Sequence, residues 1–234
     1  MHKVHHYVTI DSTNAEAHRL VAAGEGGPLW IVSDEQTRGR GRLGRTWVSK
    51  PGNLYATLIL PCDAPSVVPP QLSFVVALAI RETAGQFVTT AVTLKWPNDC
   101  LLEGRKFSGV LIETVRPGVM ALGMGLNVSH APEGLPYKAA ALNDYGCSAS
   151  LNDIHQALDG ALQNWLTVWD HGQGFAEIRR AWTNHCDHLS ASIMVRLPEG
   201  ELSGEFVGLA EDGAMLLKVG PNTRTIHAGD VVAH

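Results

Sequence analysis

Long apolar runs are missing from this chain of 234 residues: the longest, Phe74 to Ile80, is far shorter than a membrane-crossing helix of about 20 residues. The first residues, Met1-His2-Lys3-Val4-His5-His6, lack the continuous apolar core of a signal peptide. Cysteine is scarce and scattered (Cys62, Cys100, Cys147, Cys186), with no C-x-x-C pair. That argues against a zinc ribbon or a disulfide framework and fits a reducing cytoplasm. Positive charge is in deficit, 18 Lys and Arg against 23 Asp and Glu, so the surface as a whole is not built for nucleic acid. Aromatic residues make up only 6%. The 45% of apolar residues excludes wholesale disorder, and the length suits one large domain or one medium and one small.

Apolar texture then divides the chain. Val4 to Ile10 reads as a strand, followed by Thr13-Asn14-Ala15-Glu16 as a capping box that opens a helix, with Gly24 as its stop. Leu29 to Val32 and Asn53 to Leu60 read as strands. Pro69-Pro70 predicts the first turn of a helix whose buried stripe is Leu72, Val75, Val76, Ala79 and Ile80. Val92 to Trp96, Cys100 to Leu102, Val110 to Ile112 and Val119 to Leu126 follow as strands, with Glu103-Gly104 as a hairpin turn. Ser150 to Asp153 caps a long amphipathic helix, and Phe175 to Asn184 makes a second. Five short strands end the chain: Ile193–Leu197, Leu202–Leu209, Ala214–Val219, Thr223–His227 and Val231–Ala233. They predict a small β-barrel that leans on the larger domain.

Four segments can carry chemistry. In Arg38-Gly39-Arg40-Gly41-Arg42-Leu43-Gly44-Arg45, four of the 18 basic side chains fall within eight residues. Glycine lets backbone approach a ligand, and arginine offers planar forks to phosphate or carboxylate. The segment reads as a loop that orders around an anion. It also reads as a solvated basic turn, or as an RG segment for single-stranded nucleic acid. Lys95-Trp96-Pro97-Asn98-Asp99 presents Asn98 and Asp99 at a strand end, or forms an ordinary Asx turn. Lys106 starts the next strand, Lys106 to Glu113, and a hairpin would bring it near Asp99. Gly123-Met124-Gly125-Leu126-Asn127 is a strand whose glycines mark close approach of a ligand or of other backbone. His185-Cys186-Asp187-His188 has metal donors but no standard zinc spacing.

In this order, Ser12-Thr13-Asn14, Gln36 with the Arg/Gly loop through Trp47, Lys95 to Asp99, Lys106 with Gly109 to Glu113, and Gly125-Leu126-Asn127 closely resemble the motifs of the biotin protein ligases. The ending, Gly208 to Leu217 and Ala228 to Val231, resembles that family's C-terminal domain. Arg38 and Ser108 stand where smaller residues are usual. The resemblance implies an α+β fold: a mixed-sheet catalytic domain with flanking helices (the class II aminoacyl-tRNA synthetase-like, or biotin–lipoate ligase, fold) over residues 1–187, and an SH3-like barrel over 188–234. It implies a monofunctional, cytoplasmic enzyme that makes biotinyl-5′-AMP from biotin and ATP with Mg2+, then biotinylates a lysine of a biotin carboxyl carrier protein. A lipoate or octanoate ligase or transferase is the alternative. By the same resemblance, Ser12, Thr13, Asn14, Gln36, Arg40, Gly41, Arg42, Lys106 and Gly109 bind biotin. Arg42, Arg45, Trp47, Asn98 and Asn127 bind the nucleotide, and Lys106, Arg40, Arg42 and Asp99 serve catalysis. No resident protein-bound metal, nucleic acid or membrane is implied, and a homodimer is left open.

Overall fold

A computed structural model of the protein describes residues 2–62 and 69–232. Strand β1 (Lys3–Ile10) leads into helix α1 (Thr13–Ala22), which returns the chain to β2 (Leu29–Gln36), parallel to β1. A parallel pair needs such a crossover. β3 (Leu54–Pro61) and α2 (Pro69–Ala84) follow. Then come β4 (Val92–Lys95), β5 (Asp99–Leu102), β6 (Arg105–Arg116) and β7 (Val119–Leu126), and after them α3 (Leu151–Trp169) and α4 (Phe175–Thr183). The seven strands form one sheet in the order β1-β2-β3-β7-β6-β5-β4, antiparallel except at β1–β2.

One correction falls at α1. The expected capping box Thr13-Asn14-Ala15-Glu16 does not form: the cap is Ser12, whose side chain accepts from the Ala15 amide, and Thr13 is already helical. Threonine and serine are both competent caps, so sequence alone misplaces the boundary by one residue. Glu16 instead takes the Tyr7 hydroxyl (2.9 Å) and Arg19 (2.5 Å). At α3 the expected box is present, with Ser150 and Asp153 capping each other's backbone amides.

Strand alternation gives the large sheet two unlike faces. Leu54, Ala56 and Leu58 of β3, Val110 of β6, and Met120, Leu122, Met124 and Leu126 of β7 turn toward α2, α3 and α4 and make the main core. On the opposite face, α1 covers only one end, packing Ala17 and Val21 against Leu29, Ile31, Ile59, Val119 and Ala121. Beyond α1 that face carries Thr57, Gly109, Leu111, Glu113, Gly123 and Gly125, few of them bulky. The register lines them up in rows: Thr57, Gly123 and Leu111 lie abreast, and so do Tyr55, Gly125 and Gly109. The rows are two residues, roughly 7 Å, apart.

The chain ends in a second, five-stranded antiparallel sheet, β8 (Ser192–Leu197), β9 (Gly200–Leu209), β10 (Met215–Val219), β11 (Asn222–Ile226) and β12 (Asp230–Val232), in the order β11-β10-β9-β8-β12. Ala233, expected in the last strand, lies outside the described residues. Val195, Phe206, Met215 and Leu217 are buried in the same continuous core as Phe74 and Trp182. The Trp96 indole donates to the Gly213 carbonyl (3.2 Å). Gly213 has φ +90°, and a side chain there would press on Phe74 and Phe175. The small sheet therefore leans on the large one, as its size required.

Candidate active site

Where β1 gives way to α1, Ser12, Thr13 and Asn14 are all buried. Gln36, at the end of β2, accepts with Oε1 from the Thr13 amide (2.8 Å) and hydroxyl (3.1 Å), and donates with Nε2 to Ser49 Oγ (2.9 Å). Thr57 Oγ1 lies 2.8 Å from Thr13 Oγ1 and 2.7 Å from Asn14 Oδ1. Asn14 Nδ2 donates to Glu113 (2.8 Å) and to the Leu111 carbonyl (3.3 Å). Gly123 permits this, because a Cβ there would collide with the Asn14 amide. The result is a mostly neutral donor–acceptor set, suited to a neutral polar ligand group. Thr57, Ser49 and Glu113 were not among the expected site residues. Thr57 had a signal, since it is the one polar position in the apolar strand Leu54–Leu60. Beside this set, Asp11, Ser12, His18, Arg38, Arg40 and Glu113 line an open cavity of about 430 Å³, the size of a small-molecule site.

The Arg/Gly loop crosses the same face. Bridges Gln36–Ser49 and Arg40–Thr46 tie its two limbs, and the Gly41 amide donates to the Arg45 carbonyl (2.7 Å) around a tight turn, Arg42–Gly44, in which Leu43 takes the left-handed conformation (φ 56°). Gly39 admits no side chain, because one would strike the Trp47 carbonyl and Ser49. Three arginines are anchored separately: Arg40 to Glu113 (2.9 Å), Arg42 to Asn98 (3.2 Å), and Arg45 to Asp230 of β12. Burial pulls the Arg42 guanidinium below its ordinary pKa, against the opposing charges of Asp230 and Asp99. The Trp47 ring rests on the Gly109–Gly125 row, where a Cβ on Gly125 would collide with it.

The cationic end lies past Trp47. β4 and β5 form a hairpin whose turn is Trp96-Pro97-Asn98, so Asp99 stands at the start of β5. Lys106 Nζ lies 2.6 Å from Asp99 Oδ1, with only 16% and 17% of the two side chains exposed, so this is no surface ion pair. The ammonium also sits 5.5 Å from the Trp47 ring centroid and 5.4 Å from that of Tyr137, within the reach of cation–π attraction. Lys95, quoted in the motif but assigned no role, is pulled below its ordinary pKa by burial, with Asp99 and Lys106 among its charged neighbours. Asn98 is held by Arg42 and by its own bond to the Val110 carbonyl (2.7 Å). Asn127 donates to the Ala140 carbonyl (3.1 Å). Its Oδ1 and the Trp47 indole nitrogen are buried without partners, and both residues line a nearly filled cavity of about 10 Å³ with Lys106 and Tyr137. Buried polar atoms left without partners are uncommon in folded proteins. Ser108 is accommodated by its bond to the Gly125 carbonyl (2.8 Å).

Among the described residues no group of three or more His, Cys, Asp or Glu could hold a metal ion. Asp187 of the histidine-rich segment instead accepts from Thr93 (2.8 Å) and lies 3.0 Å from His188. No helix among the described residues is long and apolar enough to cross a membrane.

Residues 7–129 match the model of the biotin/lipoate A/B protein ligase family, and residues 192–233 match that of the biotin protein ligase C-terminal domain. A biotin–[acetyl-CoA-carboxylase] ligase of Paracoccus denitrificans is 36% identical over an alignment of 233 positions that covers 94% of this chain and 96% of the relative. The structure of a biotin protein ligase from Aquifex aeolicus in complex with biotin and ATP superimposes with a TM-score of 0.87 at 27% identity, covering 98% of this chain and 97% of that one. A biotin protein ligase from Leishmania major in complex with biotinyl-5-AMP gives a TM-score of 0.72 at 26% identity, covering 97% and 99%.

Proposed function

The chain belongs to the biotin/lipoate A/B protein ligase family, as a biotin protein ligase, and we propose that it forms biotinyl-5′-AMP and passes the biotinyl group to a lysine of a biotin carboxyl carrier protein or domain. One observation carries the reading. On a single sheet face, a mostly neutral polar set (Ser12, Thr13, Asn14, Gln36) and a cationic set (Lys106, Arg42) are separated by a stretch that holds Gly109, Gly123 and Gly125, with the Trp47 ring lying on Gly109 and Gly125. A ligand with a ureido ring at one end and a carboxylate at the other matches that layout. The complexes of the two relatives support it.

Two anions must meet for adenylation, and the mixed anhydride must then be kept from water. The ring end holds biotin through Ser12, Thr13, Asn14 and Gln36, with Gly41 and Gly109 leaving room for the ring and chain. Lys106 faces the carboxylate and the α-phosphate, where charge shifts as the carboxylate oxygen bonds to phosphorus and pyrophosphate leaves. Arg42 and Arg45 exchange their present partners for phosphate oxygens, while Arg40, which keeps its pairing with Glu113, adds positive charge from the ring end. Trp47, Asn98 and Asn127 contact the nucleotide, which requires Trp47 to shift, since its cavity is nearly filled. Asp99 orients Lys106 in the first half-reaction and accepts a proton from the incoming lysine in the second. The nearby donors, the carboxylates of Asp99 and Asp230, each already paired with a cation, suit magnesium carried mostly by phosphate oxygens and water. The same reading gives a cytoplasmic enzyme with its catalytic unit at residues 1–187 and the small unit at 188–234.

The test is the intact mass of an apo carrier domain after incubation with the protein, Mg-ATP and either biotin or octanoate. A biotinyl adduct on one lysine, dependent on ATP, is expected. An octanoyl adduct with no biotinyl adduct overturns the reading.

A further inference from the structure

Glu113 belongs to none of the roles above, yet three side chains from two elements converge on it. Its Oε2 accepts from Asn14 Nδ2 (2.8 Å) at the start of α1 and from the Arg40 guanidinium (2.9 Å) in the loop, with His18 Nε2 3.7 Å away. The carboxylate rises from the part of β6 that lies beyond its pairing with β5, where Glu113 pairs with Ala121 of β7. It lines the 430 Å³ cavity next to the ring end. A carboxylate beside a site that receives two anions works against binding unless a cation neutralises it. Arg40 does so: with Arg38 it lines the ring-end cavity, whereas Arg42 and Arg45 pair with Asn98 and Asp230.

We infer that Glu113 is a positioning residue, a clasp that ties Arg40 of the Arg/Gly loop to Asn14 and so holds the loop shut over the ring end. The clasp slows escape of biotin and of the acyl-adenylate before the acceptor lysine arrives. It does not touch the reacting atoms. A purely structural Glu113 would need only its bond to Asn14, which a glutamine also provides; the clasp needs the charge.

The escape part of this inference rests on the biotin reading, so the experiment has two readouts. The first is amide exchange of residues 38–47 in the full chain without ligand, for wild type, Glu113→Gln and Glu113→Ala. Exchange in the loop is expected to rise about tenfold in Glu113→Gln, equivalent to about 1.4 kcal/mol, with α1 amides unchanged. Glu113→Ala is expected to disturb both. The second is release of labelled biotin and the KM for biotin, expected to rise about tenfold in Glu113→Gln while the first-turnover adenylation rate stays within about twofold. The swap Arg40→Glu with Glu113→Arg should restore loop protection. Unchanged loop exchange in Glu113→Gln overturns the clasp whatever the ligand is. A wild type that binds no biotin overturns the functional reading and leaves the exchange result to decide the clasp. Slower adenylation at unchanged biotin release shows a role in the chemistry and overturns the inference.

Discussion

Gly125 lies directly beneath the indole of Trp47, so close that even a methyl group on Gly125 would collide with the indole nitrogen. The glycine motif of β7 is thus a seat for the loop. Gly125→Ala must displace one of the two partners. β7 is buried along its whole length between β3 and β6, whereas the loop is tied by two bridges and a few side-chain bonds. The loop is therefore expected to yield, at a cost of about 1–3 kcal/mol typical of overpacking. Amide exchange should quicken over residues 38–47 and stay slow in β7. Faster exchange in β7 with a protected loop would contradict this.

Strand alternation and capping made most of the scaffold readable. The lone polar Thr57 inside β3 and the glycine spacing in β7 each follow from which face a residue occupies. The cap of α1 was not readable, because Ser12 and Thr13 are both good caps and the tertiary bonds that Thr13 donates to Gln36 decide between them. At the site, Lys106 beside Asp99 was foreseeable from the hairpin. The partners of Arg40 and Arg45 were not: Glu113 and Asp230 are far from the loop in sequence and are brought to it only by the completed fold.

Asp11 offers a pH test at the cavity rim. Hydrogen bonds from the Arg19 guanidinium (3.0 and 2.6 Å), helped by the Ser12 amide (2.7 Å), hold its carboxyl down to about 2. The folded pKa lies below the unfolded value of about 3.9. Its contribution is therefore present in full above about pH 4 and is lost as pH falls toward 2. Urea midpoints of wild type and Asp11→Asn should differ at neutral pH and converge by about pH 2. A gap that is constant with pH would count against it.

Removing residues 191–234 is expected to destabilise the protein rather than release an intact catalytic unit. Phe206, Met215 and Leu217 belong to the same core as Phe74 and Trp182, and the Trp96 indole would lose its acceptor on Gly213. Each large side chain uncovered costs about 1.5–3 kcal/mol, against a total stability of about 5–15 kcal/mol. The thermal midpoint and the soluble yield should both fall. A truncated chain that melts cooperatively at the wild-type temperature would show the two sheets to be independent.

The central claim is that one end of the sheet face binds the ring and the other performs adenylation, and Lys106→Ala tests it most directly. Lys106 is close to Asp99 and shielded by Trp47 and Tyr137, while the ring end is built from other residues. A donor aimed at developing charge in a shielded site contributes about 2.7–4 kcal/mol. Biotin-dependent pyrophosphate release at saturating ATP is expected to fall about 10²–10³-fold, with the fold intact and calorimetric affinity for biotin reduced much less. A fall of under about fivefold, or a loss of biotin affinity that matches the loss of rate, would contradict the account.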